Sequence, residues 1–366
     1  MSADARRAAL ARLVDEAADW RAAPAVMQPA DLYFDLAGEA IGARLLLTTG
    51  ADGTEYCLRP EFTLAVAAEY LTSDLAGRPE VIGYLGPVFR QRADGPAEFE
   101  QAGLECFGPA DGEHAFARSL QFAFDAAAVY GVANPELHLG AVDLFEALLA
   151  GLDMPDMWRP RIRARLGNPE AMARLLDRLA VPEPSEAGSR YPAERDKLIA
   201  VISSELEAAG LSPMSGREAA EIADRHLEKR ALAAARVPEQ TVAALRHYLS
   251  IAGPAREQRE RVEALAADAG VELVEGLARL AARIGALEAR PGLGAVKFDA
   301  GFSPPLDYYT GHVFELVAPG TGAVIASGGR YDRLLERLGA AQPIAAVGCA
   351  VWLDRLEAAA PADLPQ

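Results

Sequence analysis

The chain has no run of about 18 consecutive apolar residues, which excludes a membrane-spanning helix. Its first twenty residues, MSADARRAALARLVDEAADW, carry charges throughout and have no apolar core leading to a small-residue cleavage site, so they do not read as a secretory signal. Cysteine is scarce. Cys57, Cys106 and Cys349 sit in apolar, strand-like contexts without metal-ligand spacing, which argues against a disulfide framework or a metal cluster and fits free thiols in a reducing cytoplasm. Basic charge is in deficit, with 36 Lys and Arg against 53 Asp and Glu and a net charge of −17. A nucleic-acid-binding face usually needs the opposite balance, although local basic clusters stand at Arg159–Arg165 and Arg225–Arg236. No internal repeat is visible, and between Met154 and Leu287 there is no catalytic signature: Ser215-Gly216-Arg217, His226 and His247 read as solvated helix faces.

What is present is globular. Of 366 residues, 51% are apolar and 24% charged, enough for one large domain with an inserted or appended second one. Leu10, Leu13, Val14 and Ala17 give a helix over 4–21. Pro24 and Pro29 interrupt, and Leu32–Leu36 reads as a strand or turn. Arg44–Thr49 and Thr54–Leu58 form a hairpin around Asp52-Gly53, followed by a helix over Leu64–Leu71. A long helix is expected over Gly112–Gly131, a strand over Leu137–Ala141 and a short helix over Leu144–Leu149. Residues 154–287 are Ala-, Leu-, Arg- and Glu-rich and read as helices broken at Pro182-Glu183-Pro184, Gly210, Pro213, Pro238 and Pro254. Strands return at Ala295–Phe298, His312–Val317, Val324–Ser327 and Ile344–Val351, with helices over Arg333–Leu338 and Trp352–Ala359.

The densest stretch is GYLGPVFRQRADGPAEFEQAGLECFG, residues 83–108, read as two antiparallel strands around Asp94-Gly95-Pro96. On the return strand Phe99, Gln101, Gly103, Glu105 and Phe107 share one face. Gln101 and Glu105 with a glycine between them leave room for a small polar ligand; an ordinary half-exposed sheet face fits the same residues. Arg59, Glu61 and Thr63 fall at alternate positions where a strand meets a helix, and Glu61 and Thr63 equally suit a helix start. Tyr308 and Tyr309 lie at a turn, where both can reach one pocket. Gly328-Gly329 brings backbone close to something before a helix.

The runs LRPEFT (58–63), FEQAGLECFG (99–108), LDYYTG (306–311), ASGGRYD (326–332) and AVGCAVWLDRL (346–356) come in one order along almost the whole chain. They resemble the class II aminoacyl-tRNA synthetases, and histidyl-tRNA synthetase specifically. The resemblance implies an α+β fold, an antiparallel sheet flanked by helices, made of residues 1–153 and 288–366 with a mainly helical insertion at 154–287. It carries a histidine pocket onto Glu61, Thr63, Gln101, Glu105, Tyr308 and Tyr309. Those groups suit histidine: a carboxylate for an imidazole N–H, a tyrosine for the other side of the ring, and Glu61, Thr63 and Gln101 for the ammonium.

The nucleotide half departs from the synthetase pattern. Arg92 replaces the acid two positions after Arg90, and Pro304 and Pro305 stand where an arginine and its glycine belong. Trp352 replaces a glycine three residues before Arg355, and the loop at 93–98 lacks its basic residues. An anticodon-binding domain, about 100 residues by ordinary domain size, is not expected. A kept histidine pocket with degenerate ATP chemistry is similar to the regulatory subunits of ATP phosphoribosyltransferase, synthetase paralogues. That resemblance implies a non-catalytic cytoplasmic protein, without metal, cofactor or tRNA. It implies partnership with a short-form catalytic chain, feedback by L-histidine, and a homodimer, formed near Pro29, within a hetero-oligomer. A truncated synthetase and a stand-alone histidine-binding module are the alternatives.

Overall fold

The apolar alternation around the Gly95 turn folds as two ten-residue antiparallel strands, on which the main sheet is assembled. The computed structural model describes residues 1–36, 38–93, 95–180, 191–209, 218–306 and 308–361. The expected breaks at 182–184, 210 and 213, the helix face at 215–217, and Asp94 and Asp307 fall outside the described residues. In chain order the strands are β1 (Trp20–Arg21), β2 (Met27–Pro29), β3 (Leu47–Thr49), β4 (Glu55–Leu58), β5 (Glu80–Phe89) and β6 (Glu98–Phe107). They continue with β7 (Glu136–Ala141), β8 (Ala252–Pro254), β9 (Val296–Asp299), β10 (His312–Val317), β11 (Val324–Arg330) and β12 (Ala346–Trp352). Nine of them form one sheet in the order β1-β5-β6-β12-β11-β10-β7-β9-β8, antiparallel except at β1/β5 and β7/β9. The other three form a small sheet, β2-β4-β3.

Local chemistry sets the element ends. Ser2 caps the helix Ala3–Ala17, which buries Leu10 and Val14; Val14 occupies the space that a side chain at Gly83 on β5 would need. Asp111 accepts from the amides of Glu113 and His114 to start the helix Gly112–Val129. The buried side of that helix, with Phe116, Leu120 and Ala123, covers β11 and β12. Asp52 accepts from the Thr54 amide and Gly53 takes a positive φ of 84°, making the turn between β3 and β4.

Three readings change. Leu32–Leu36 is not a strand or turn but lies in a short helix, Asp31–Leu36, whose buried Tyr33 and Leu36 are three apart. Gly328 and Gly329 lie inside β11 rather than after it. The chain separates into Met1–Leu148 with Tyr248–Gln366, and Leu149–His247. The second unit therefore ends well before Leu287, because residues 252–254 add β8 to the large sheet and the helix Ala255–Asp268 packs on β8 and β9. The Leu149–His247 unit is helical among its described residues. It is held by Leu198, Ile202 and Ala223 and by a hydrogen bond from the Trp158 indole to the Ala235 carbonyl at 2.8 Å.

Cross-strand register positions the site. Directly opposite residues share a face, so one row across the sheet runs Ile82, Glu105, Gly348, Gly329, Val313, Gly140. The next runs Tyr84, Gly103, Ala350, Ser327, Glu315, His138. The glycines let side chains lie flat on the strands. A Cβ at Gly103 would stand 2.3 Å from the Tyr84 hydroxyl and 2.1 Å from the Cys349 carbonyl. The space above Gly103 thus holds Tyr84, not a ligand. Gly103→Ala is expected to lower stability by about 1–3 kcal/mol, the usual cost of overpacking, read as a shift in the urea midpoint at unchanged slope.

Candidate functional site

The residues assigned to the histidine pocket and to the degenerate nucleotide half line one cavity of about 300 Å³ on this face: Glu61, Thr63, Gln101, Glu105, Tyr308, Tyr309, Arg90, Arg92, Pro304, Trp352 and Arg355. At its carboxyl end Glu105 projects from β6 and lies over Gly348, where even a methyl group would collide with its Oε2. The Thr63 hydroxyl donates to Glu105 Oε1 at 2.7 Å and the Tyr331 hydroxyl donates to Oε2. Burial dominates over these bonds and pushes the Glu105 carboxyl up to about 8, with the nearby Glu61 adding to the effect.

Glu61 accepts from the amides of Thr63 (2.6 Å) and Leu64 (2.9 Å), so it, and not Thr63, caps the helix Thr63–Thr72. Burial raises its pKa as well, against those two amides and Arg90. Arg59 takes no part in the cavity. Its guanidinium donates to the carbonyls of Pro24 and Pro87 and lies 3.9 Å over the Phe62 ring, tying the chain before β2 to β5.

Tyr308 and Tyr309 are both buried in the cavity wall, their rings 5.0 Å apart, and Tyr308 meets Tyr331 at 5.3 Å. Gly329 makes room for Tyr309, whose ring would lie 3.0 Å from a Cβ there. The buried Gln101 Oε1 and Ser327 Oγ have no hydrogen-bond partner among the described residues, which leaves both for a ligand.

The other end is cationic. Arg44, Arg90, Arg92 and Arg355 line it. Arg92 is paired with Asp354 at 2.7 Å and packs on Phe99. Arg355 donates to the Val324 carbonyl at 2.8 Å and lies 4.5 Å over the Trp352 ring. Arg90 packs 5.0 Å over Phe99. Burial lowers it to about 10, partly offset by Glu61, with Arg355, Arg44 and Arg92 adding to the depression. Pro304 offers the cavity only ring carbon and a carbonyl already accepting from the Leu306 amide. Along β6, four residues separate Glu105 from Gln101, the cross-strand partner of Trp352, so the two ends lie about 13 Å apart at ~3.3 Å per residue.

Carboxyl groups at one end and guanidinium groups at the other suit a small zwitterion with a further N–H, and ~300 Å³ is at the small end of ligand sites. No group of His, Cys, Asp and Glu among the described residues has the arrangement of a metal site. Sequence reasoning missed Tyr84, Tyr331, Ser327 and Glu315. Alternation along β10 and β11 places Glu315 and Ser327 on this face, and Glu315 was conspicuous as an acid in an apolar strand. Burial pushes its carboxyl up to about 7, against Arg355. Tyr331 needed the strand to extend through the glycine pair.

A family model described as Histidyl-tRNA synthetase matches residues 2–189 and 197–356. The ATP phosphoribosyltransferase regulatory subunit of Mesorhizobium japonicum is 42% identical over 346 residues, 91% of each chain. That of Chelativorans sp. is 40% identical over 344 residues, again 91% of each. Among solved structures, an ATP phosphoribosyltransferase regulatory subunit/histidyl-tRNA synthetase from Bacillus halodurans matches at a TM-score of 0.62 and 21% identity, covering 98% of this chain and 79% of that one. A histidine–tRNA ligase subunit from Alicyclobacillus acidocaldarius matches at 0.58 and 26%, covering 98% and 93%. The fold is the class II synthetase-like arrangement expected from the order of the motifs.

Because folding raises the Glu105 pKa from 4.5 to about 8, the folded protein holds a proton that the unfolded chain releases in that interval. Stability conferred by neutral Glu105 is fully present below pH 4.5 and is lost as pH rises through about 8. Glu105→Gln keeps the shape without the titration. Its stability relative to wild type is expected to rise between those pH values, while the slope common to both proteins comes from other buried and half-buried groups, among them Glu61 and Glu315, whose pKa values are raised, and His312, whose pKa is lowered. Urea midpoints from pH 5 to 9 check this, and parallel curves for the two proteins would falsify it.

Proposed function

The chain belongs to the family of ATP phosphoribosyltransferase regulatory subunits, relatives of histidyl-tRNA synthetase; on that premise we propose that it activates a short-form catalytic chain and makes it sensitive to L-histidine. The catalytic chain condenses ATP with phosphoribosyl pyrophosphate; this chain supplies no reacting group. L-Histidine binds in the cavity with its imidazole at Glu105 and its ammonium near Glu61, Thr63 and Gln101. Tyr308 and Tyr309 lie along the ring, and the carboxylate faces Arg90. The observation that carries this reading is the buried Glu105 carboxyl, facing the cavity between Thr63 and Tyr331. Inhibition requires histidine to bind the less active form of the complex more tightly, and that form must reciprocally hold histidine better.

Aminoacylation is not part of this role. The guanidinium of Arg92 is spent on Asp354, Arg355 is held against Trp352, and Pro304 has no charge to offer a phosphate. Losing one preorganised charge stabiliser typically slows a reaction about 10²–10³-fold. The protein takes no tRNA and works in the cytoplasm, where its buried free thiols stay reduced. No helix among the described residues is long and apolar enough to cross a membrane.

A homodimer, the second part of the proposal, is supported by the small sheet. Val26, Met27, Phe34 and Leu47 are 41%, 54%, 43% and 51% exposed, around edge strands β2 and β3. Met27 and Leu47 lie on opposite faces of this sheet, but exposed apolar side chains beside edge strands call for a cover, and a second copy supplies the same edges. Phe34→Glu is expected to convert the dimer into a monomer in light scattering; an unchanged mass would place the dimer contact elsewhere.

Reconstitution tests the role itself. The catalytic chain is expected to be weakly active alone, activated by this protein, and inhibited again when L-histidine is added. A catalytic chain equally active without this protein sinks the regulatory reading. Glu105→Ala is expected to require at least about tenfold more histidine for the same inhibition, since it removes the buried partner of the imidazole and leaves that ring nitrogen unpaired. Wild-type sensitivity in that variant would move the histidine site out of this cavity.

A further inference from the structure

A bulky side chain, Trp352, lines the cationic end of the cavity. Trp352 ends β12 opposite Gln101, with its indole N–H buried and without a partner among the described residues. It is pinned from two sides. The Arg355 guanidinium lies 4.5 Å over its ring and is itself fixed by the Val324 carbonyl. The Arg92–Asp354 ion pair ties the segment after β5 to the helix that begins one residue after Trp352. An indole held this way cannot swing clear without losing the stacked Arg355 guanidinium, and the ion pair holds the backbone that follows it.

Resting on the histidine reading above, we propose that Trp352 makes this cavity a reader of the free α-carboxylate, so that it binds free histidine and rejects histidine extended through its carboxyl group. With the imidazole anchored at Glu105, the ligand's carboxylate points along β6 toward Gln101 and Trp352. There it meets the Arg90 guanidinium and the unpaired indole N–H, both complementary to a terminal carboxylate. A substituent on that carboxylate runs into the indole ring. The protein then responds to the free amino-acid pool and ignores its activated, adenylate-type derivatives, a distinction that a charge contact alone cannot make because an acyl phosphate is also anionic.

The probe is therefore a histidyl-sulfamoyl adenosine, which keeps a negative charge beside the carbonyl and adds bulk beyond it. Calorimetric titration of the full chain is expected to show wild type favouring L-histidine over this analogue by at least about 100-fold. Trp352→Gly is expected to shrink that ratio at least tenfold. Trp352→Phe keeps the wall and is expected to preserve the ratio while weakening histidine severalfold through loss of the N–H. A wild-type ratio below 100, or an unchanged ratio in Trp352→Gly with a native melting curve, overturns the inference. If Trp352→Gly does not fold, the wild-type ratio together with a preserved ratio in Trp352→Phe decides it. Absence of any wild-type affinity for L-histidine overturns the histidine reading instead, and the analogue arm then reports on Trp352 by itself.

Discussion

A carboxyl group taken fully out of water is among the more costly things a fold can do, and Glu105 is 1% exposed. Its surroundings are the terms on which that burial is tolerated. Thr63 reaches it from the start of a helix, Tyr331 from the turn after β11, and Gly348 leaves the bare strand surface on which the carboxyl lies. Three separate parts of the chain, more than 200 residues apart in sequence at the extreme, must arrive together. The donors satisfy both oxygens but supply no cation, so the group stays neutral and poised. The strand order, with β12 between β6 and β11, is what brings these parts into reach.

Much of this was legible in the sequence because it depends on alternation. The two-residue period of β6 puts Gln101, Gly103 and Glu105 on one face whatever lies beside them, and the hairpin at Gly53 follows from local turn chemistry. What escaped the sequence depends on cross-strand register. Gly103 suggested space for a ligand, but only the pairing of Tyr84 with Gly103 reveals that a tyrosine occupies it. Glu61 and Thr63 both suited a helix start, and the choice was made by Glu105, forty-odd residues away, which claims the threonine hydroxyl. The boundary at His247 was hidden for a related reason: the helices after it are as Ala- and Glu-rich as those before, and it is the pairing of β8 with β9 and the packing of those helices on β9 that attach them to the large sheet.

The cationic end makes the complementary point. Changing residue types there did not dismantle the fold, because each departure from the synthetase pattern is absorbed locally. Arg92 finds Asp354, and Trp352 finds Arg355. An arginine introduced beside three others repels them: burial lowers the pKa values of Arg90 and Arg355, and Arg92 adds to the depression of both. The ion pair with Asp354 offsets part of that cost. The same pairing consumes a group that would otherwise remain available to an anionic ligand. In the proposed non-catalytic role, stability at this end and the loss of an anion-binding group are therefore one physical event, and a variant that freed Arg92 would be expected to destabilise the end it reopened.

In the proposed regulatory role, the tyrosine cluster has to do more than bind. Tyr331 donates to Glu105, and its neighbours belong to a tight set of bonds. Thr310 N–H donates to the Arg330 carbonyl at 2.8 Å, the Asp332 amide to the Thr310 hydroxyl at 2.9 Å, and Arg330 pairs with Asp332 at 2.6 Å. The segment carrying Tyr308 and Tyr309 and the turn carrying Tyr331 are thus bonded to each other independently of any ligand. An imidazole that engages Glu105 competes with the Tyr331 and Thr63 hydroxyls for the same oxygens. Displacing the Tyr331 hydroxyl acts on a turn bonded to the segment from 308 to 311, and displacing Thr63 acts on the first residue of its helix. Differential affinity between two states needs such a place where ligand and protein compete for one group, and a buried neutral carboxyl with two hydroxyl partners is suited to that exchange because no ion pair must first be broken.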